Sequence, residues 1–152
     1  MLCLSIDVGI KNLGYIIYDA SDNTIKDWNI IELCDKNTNA CKADLIDIGK
    51  KMHEKFPSVF DIYHYDEIII ENQIGQNAIR MKTLQGMITM YFIEKNYKNI
   101  YFWNASQKLK NFAITRKTTY NERKKLSVEI TKHIICEYYP DFETHYLSHK
   151  KK

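Results

Sequence analysis

The sequence begins with Leu2-Cys3-Leu4-Ser5-Ile6-Asp7-Val8-Gly9, an apolar run that ends in a carboxylate and then enters a glycine-containing turn. Short apolar runs of this kind are typical of buried strands. The run 13–18 after the turn is predicted to be the partner strand of a hairpin. Asp7 is therefore predicted to project from the end of a central strand into a cleft.

A second apolar run, Ile68-Ile69-Ile70, ends in the same way, with Glu71 directly after it. Two acids at the ends of buried strands are costly to leave without a partner. A shared cation with oxygen ligands, most simply Mg²⁺, would offset that cost. We therefore expect Asp7 and Glu71 to lie a few ångströms apart, with the first strand central and the Glu71 strand parallel beside it.

The order of elements indicates the fold class. Strands are predicted near 2–7, 13–19 and 26–33, a helix from about 45 that Pro57 helps to end, a strand at 66–71, a helix over 76–95, a strand at 100–103, and a helix over 121–138 closed by Pro140. Three antiparallel strands followed by alternating helices and strands predict an α/β fold with a mixed five-stranded sheet flanked by helices. The length of 152 residues is that of a single domain, 1–152.

The basic residues are concentrated in the last third of the chain. Residues 105–152 hold eleven Lys and Arg against five acids, whereas residues 1–104 hold eleven basic and fourteen acidic residues. This asymmetry favours an anionic partner such as nucleic acid, although a solvated helix face with a charged tail accounts for it equally well. Arg116 and Lys117 lie in a long polar connection and are candidate phosphate contacts, with a disordered loop as the alternative.

Several classes of protein do not fit the sequence. The four cysteines form no C-x-x-C pair and no zinc-finger spacing, and we interpret Cys3 and Cys136 as core residues in a reduced, intracellular protein. We expect no signal peptide, because a strand is predicted to begin at residue 2 without a basic segment before it. No apolar stretch reaches the roughly 20 residues of a membrane span. An actin-like nucleotide-binding domain would need a second phosphate-binding hairpin and a longer chain, so no small-molecule cofactor is expected.

Three stretches together resemble the poxvirus-type Holliday-junction resolvases, relatives of bacterial RuvC with a ribonuclease H-like fold. They are Asp7-Val8-Gly9-Ile10-Lys11-Asn12, Ile70-Glu71-Asn72-Gln73, and Tyr120-Asn121-Glu122-Arg123-Lys124-Lys125-Leu126-Ser127-Val128-Glu129. The third is the most specific and points to the viral branch. Asp-x-Gly alone is weak, because actin-like ATPases also carry it.

The resemblance implies a metal-dependent endonuclease that resolves four-way and other branched DNA by paired phosphodiester hydrolysis, in viral replication or recombination in the host cell. Asp7 and Glu71 carry over as ligands of Mg²⁺ or Mn²⁺, and Lys124 as the lysine near the scissile phosphate, with Lys125 as the alternative register. Two further metal-binding aspartates follow a basic stretch in the family. The sequence ends at Lys152 inside such a stretch, so we expect them beyond it and expect the chain as given to cut poorly. The alternative is a non-catalytic module that binds branched DNA.

The remaining expectations concern contacts. Candidate DNA-binding residues are Lys11, Asn12, Gln73, Arg116, Lys117, Arg123 and Lys125. The helix over 76–95 has an apolar stripe that wraps more than one face, which indicates a second partner besides the sheet. A homodimer through this helix suits a substrate with two symmetric cleavage points; its predicted contacts are Ile79, Leu84, Met87, Ile88 and Tyr91. Trp28 and Trp103 are interpreted as core residues, and no membrane partner is expected.

Overall fold

A computed structural model describes residues 1–75, 78–110, 112 and 118–150. Its strands and longer helices are β1 (Leu2–Asp7), β2 (Asn12–Asp19), β3 (Thr24–Glu32), α1 (Leu45–Phe60), β4 (Glu67–Asn72), α2 (Ile79–Glu94), β5 (Ile100–Asn104), α3 (Tyr120–Tyr138) and α4 (Glu143–Lys150). The chain divides into two compact units, Met1–Ala105 and Ser106–Lys152. No helix within the described ranges is long and apolar enough to cross a membrane. The single domain over 1–152 stays a prediction.

The sheet of the first unit has the predicted mixed topology. Its strand order is β3-β2-β1-β4-β5, so β1 is the central strand. β1 and β3 pair antiparallel with β2, whereas β4 pairs parallel with β1 and β5 parallel with β4. This confirms the five-stranded ribonuclease H-like sheet, with the central first strand and the parallel neighbour expected from the sequence.

One face of the sheet forms the core with α1 and α2. Side chains alternate between the two faces of a strand, and the buried residues of β1 and β4 are Leu4, Ile6, Ile68 and Ile70. The helices bury matching stripes against them, with members such as Ile48, Met52, Phe56, Phe60, Leu84, Ile88 and Phe92. Each such side chain contributes about 1.5–3 kcal/mol on burial. The side chains of Asp7 and Glu71, near the ends of β1 and β4, lie on the opposite face of the sheet.

Helix α1 is capped by Asp44 at its start and continues past Pro57, the residue that was predicted to help end it. Asp44 caps its first turn by accepting hydrogen bonds from the backbone N–H groups of Ile46 and Asp47. Pro57 does not end the helix, which continues to Phe60. A proline inside a helix costs about 3 kcal/mol, but Phe56 and Phe60 on either side of it are both buried in the core. Burial of these two rings outweighs the lost backbone hydrogen bond.

The second unit contains α3, a 3-10 turn over Pro140–Phe142 and α4. Asp141 lies in the turn and Glu143 begins α4. The Tyr146 hydroxyl donates to the backbone oxygen of Val128 at 3.0 Å, which fixes α4 against α3. Pro140 stands at the first position of its turn, where a missing N–H costs little.

Two residues interpreted as core are exposed instead. Cys136 lies on the exposed side of α3, where its thiol donates to a Glu143 carboxylate oxygen at 3.4 Å. Trp103 lies on the edge strand β5 and is 49% exposed. An edge strand has a neighbour on one side only, so an aromatic residue there keeps part of its ring in solvent.

Candidate active site

Asp7 and Glu71 occupy matching positions on adjacent parallel strands. Ile6 pairs with Ile70 in the β1–β4 register, and the two acids are the next residues on their strands. Neighbouring strands run about 4.8 Å apart, so the backbones that carry these acids are that close. The alternation of side chains places both acids on the face opposite the core. Asp7 is exposed and Glu71 is half-buried.

A glycine and a tryptophan continue this row across the sheet. Asp7 pairs with Gly14 on β2, and Glu71 pairs with Trp103 on β5. A Cβ atom at Gly14 would lie 3.6 Å from the Cβ of Asp7, so a longer side chain there would fill the space beside the carboxylate. The half-exposed Trp103 borders the row on the other side. The sequence did not predict that Gly14 and Trp103 flank the two acids, because their positions depend on how the strands pair.

The turn that follows Asp7 is held from several sides. A Cβ atom at Gly9 would lie 2.0 Å from the backbone oxygen of Asn12, so only glycine fits this turn. The Leu33 N–H donates to the Lys11 backbone oxygen at 2.7 Å. The Lys11 ammonium donates to the backbone oxygen of Lys36 at 2.9 Å. Lys11, a predicted DNA contact, therefore connects the turn to the segment after β3. Asn12, also a predicted DNA contact, is the first residue of β2 and its side chain is exposed.

The carboxylate of Glu71 is contacted by Gln73. The Gln73 side-chain amide donates to Glu71 Oε2 at 3.1 Å, and the Gln73 backbone N–H donates to Gln85 Oε1 at 2.9 Å. Gln85 lies on α2 and is only 7% exposed. Sequence reasoning took Gln73 as a DNA contact and missed Gln85. Its burial depends on how α2 is oriented on the sheet, which the sequence pattern does not show.

Asp7 and Glu71 suit a hard divalent cation in the type of their donor atoms. Carboxylate oxygens are the ligands that Mg²⁺ and Mn²⁺ prefer, and Mg²⁺ keeps several waters when protein carboxylates bind it. Two carboxylates supply only part of an octahedral shell. In the part of the chain that the structure describes, no group of three or more His, Cys, Asp or Glu residues could hold a metal ion.

The basic cluster Arg123, Lys124 and Lys125 lies on the exposed first turns of α3, in the second unit. Basic residues at a helix N-terminus oppose the helix dipole. Here a capping box compensates, in which the Glu122 N–H donates to Thr119 Oγ1 at 3.3 Å and the Thr119 N–H donates to Glu122 Oε2 at 2.8 Å.

Within the cluster the three cations differ in their surroundings. The Arg123 guanidinium donates to the Thr118 backbone oxygen at 2.6 Å, which orients it along the capping turn. Lys124 and Lys125 are consecutive on the helix and point about 100° apart. The catalytic role of Lys124 and the choice between these two lysines stay predictions. Arg116 and Lys117 lie outside the described residues.

The dimer contacts predicted on α2 need revision. Leu84 and Ile88 are fully buried in the core of the same chain, so they are not available to a second copy. Met87 and Tyr91 pack partly against that core, and the Tyr91 hydroxyl donates to Asp61 at 2.7 Å. Of the predicted contacts, Ile79 is strongly exposed at 72%. The exposed apolar residues of α2 are Ile79, Met90 and Ile93.

Comparison with known proteins agrees with the resemblance found in the motifs. A family model described as "Poxvirus A22 protein" matches residues 1–152, which confirms the predicted family. No curated protein sequence gives a significant match. Among solved structures, Thermus thermophilus RuvC in complex with a Holliday junction substrate superimposes with a TM-score of 0.60 at 16% identity, covering 85% of this chain and 78% of that chain. A second Thermus thermophilus RuvC structure gives 0.61 at 16% identity over the same shares.

Proposed function

Because the chain belongs to the poxvirus A22 protein family, we propose that it is a divalent-metal-dependent endonuclease that resolves four-way and other branched DNA junctions. The observation that carries this proposal is the pairing of Asp7 and Glu71 at matching positions of adjacent parallel strands. The RuvC-like fold and the exposed basic cluster on α3 support it. The proposed setting is viral DNA recombination, at the site of viral DNA replication in the host cell.

In the proposed mechanism, Asp7 and Glu71 hold Mg²⁺ or Mn²⁺ through their carboxylate oxygens. The bound cation would stabilise charge on the phosphate and lower the pKa of a coordinated water. Gln73 orients the Glu71 carboxylate by its hydrogen bond, and Gly14 leaves space beside Asp7 for a phosphate group. Trp103, half-exposed next to Glu71, offers an apolar surface to sugar or base atoms.

Basic residues of the last third of the chain are proposed to act on the DNA. Lys124 would neutralise negative charge that develops at the scissile phosphate, as a positioned cation does in other phosphoryl transfers. Arg116, Lys117, Arg123 and Lys125 would contact phosphates away from the cleavage point and supply salt-dependent affinity. Lys11 and Asn12 lie in the turn next to Asp7 and are proposed to contact the same strand of DNA.

The direct test is cleavage of a labelled four-way junction by the full-length protein with Mg²⁺ or Mn²⁺. We expect symmetric, paired nicks in two opposing strands, and no cleavage when the metal is removed with EDTA. A linear duplex of the same sequence is the control and should stay uncut. Tight junction binding without nicks in either metal would instead favour the alternative, a module that recognises branched DNA without cutting it.

We further propose a homodimer through the exposed stripe of α2. Ile79, Met90 and Ile93 lie within about 60° of one another around the helix, because their spacings are close to whole numbers of turns. They are 72%, 49% and 50% exposed. Gly86 lies on the same side, and a Cβ atom added there would meet no neighbour within 4 Å, so a second helix could approach closely. Two copies would supply two cleavage sites for two symmetric strands.

Met90→Arg is expected to weaken this dimer by about tenfold or more, because a charge would enter an apolar contact. Sedimentation of the protein at several concentrations measures the monomer–dimer equilibrium. The control is Ile62→Arg, the same type of change at an isoleucine that is 67% exposed but lies outside α2. A monomer in the unaltered protein, with and without junction DNA, or an unchanged dimer in Met90→Arg, would exclude this interface.

A further inference from the structure

Helix α2 reaches the candidate metal site through one buried polar side chain. Gln85 is 7% exposed among neighbours such as Leu84 and Ile88, which are fully buried. A polar group in such surroundings is costly unless it forms hydrogen bonds. Its Oε1 atom accepts the Gln73 backbone N–H at 2.9 Å. This bond joins α2 to the segment that directly follows β4.

Gln73 needs that acceptor because of its place in the chain. The last residue pair between β4 and β5 is Asn72 with Asn104, and their side-chain amides also bond at 2.7 Å. Gln73 is the next residue, beyond the end of the sheet pairing. Its N–H is part-buried, and Gln85 supplies the acceptor from outside the sheet. The position and direction of residue 73 are therefore set by α2.

The side chain of Gln73 then turns back to the acid. Its Nε2 atom donates to Glu71 Oε2 at 3.1 Å. An amide that donates to one carboxylate oxygen restricts rotation of the carboxylate. Hydrogen bonds of this type to metal-binding carboxylates typically affect metal affinity by about 10–100-fold.

We propose that Gln85 and Gln73 form a positioning relay that sets the orientation of Glu71 for the divalent cation. This inference rests on the proposed function, since it assigns Glu71 to a metal ion. Neither glutamine touches the reacting atoms; both are positioning residues. The relay also means that the helix proposed to carry the dimer contacts on its outer face holds the metal site from its inner face.

The test measures Mn²⁺ binding to the full-length protein by the loss of the free Mn²⁺ signal in electron paramagnetic resonance. Gln85→Met keeps the length of the side chain but removes the acceptor, and Gln73→Met keeps the backbone N–H but removes the amide donor. We expect each to weaken Mn²⁺ binding by about tenfold. The Mn²⁺ concentration that gives half-maximal junction cleavage should rise by a similar factor, with the cleavage rate at saturating Mn²⁺ changed less.

The double variant separates a relay from two independent effects. If the two glutamines act in series, Gln85→Met combined with Gln73→Met should bind Mn²⁺ about as weakly as either single variant. Independent contributions would instead multiply to about 100-fold, and that result would overturn the relay. Thr89→Val is the matched control: it removes a hydroxyl that donates to the Gln85 backbone oxygen at 2.7 Å and leaves the Gln85 side chain in place. It should bind Mn²⁺ within about twofold of the unaltered protein.

The failure of the relay and the failure of the metal site give different results. If Asp7→Asn abolishes Mn²⁺ binding but Gln73→Met binds normally, the relay is wrong and the metal site stands. If Asp7→Asn binds Mn²⁺ as well as the unaltered protein, or if the unaltered protein binds none, both proposals fail. Gln73 is only part-buried, so Gln73→Met decides the question even if Gln85→Met does not fold.

Discussion

Asp7→Asn is expected to lower the rate of junction cleavage by about 10³-fold or more, while junction binding is retained. Asparagine has the shape of aspartate but lacks the negative charge that holds a divalent cation. Loss of the cation removes several kcal/mol of transition-state stabilisation, and about 4 kcal/mol corresponds to 10³-fold. Affinity for the junction should change little, because it depends mainly on basic residues that contact phosphates along the DNA. Single-turnover cleavage at saturating protein measures the rate, and a binding titration measures the affinity.

Asp19→Asn is the matched control for this prediction. Asp19 also ends a strand of the sheet, but it pairs with Leu2 and therefore lies at the opposite end of β1 from Asp7. Its carboxylate contacts Ser21 and the N-terminal ammonium rather than Glu71. We expect Asp19→Asn to cleave normally, whereas Asp7→Asn and Glu71→Gln should cleave much more slowly. That result would locate the metal at Asp7 and Glu71. Normal cleavage by Asp7→Asn would remove the basis for the site.

The strands and the position of the two acids could be predicted because local pattern determines them. Leu4 and Ile6 alternate with Ser5 and Asp7, and three isoleucines precede Glu71. Both patterns predict a strand that ends at or next to the acid. The residues that flank the acids could not be predicted in the same way. Gly14 and Trp103 stand next to Asp7 and Glu71 only through the β1–β2 and β4–β5 registers, and register depends on contacts between distant parts of the chain.

Helix α2 shows why an apolar pattern does not distinguish a core contact from a contact with a partner. Leu84, Ile88 and Phe92 follow one another at four-residue spacing and are all fully buried against the sheet. Ile79, Met90 and Ile93 are equally apolar but face solvent. From the sequence the two sets form one wide stripe, and the orientation of the helix on the sheet separates them. For the same reason Gln85 could not be recognised as a buried hydrogen-bond partner.

Lys124→Ala is expected to separate cutting from binding. If Lys124 stabilises charge at the scissile phosphate, its removal should lower single-turnover cleavage by about 10²-fold or more, a typical loss for one electrostatic stabiliser. Junction affinity should fall only slightly, because one phosphate contact is a small part of a large basic surface. Arg116→Ala or Lys117→Ala should weaken binding and reduce its salt dependence, with cleavage at saturating protein nearly intact.

The structure of α3 allows Lys124 and Lys125 to be replaced without unfolding the helix. Lys124 and Lys125 are exposed on the first turns of the helix, while the capping box of Thr119 and Glu122 holds the helix start independently of either lysine. Alanine favours helices, so neither substitution should unfold α3. Lys132→Ala, at another exposed lysine of α3, is the control and should cut normally. A loss confined to Lys125→Ala would move the role by one residue, whereas normal cutting by both variants would mean that neither lysine acts at the scissile phosphate.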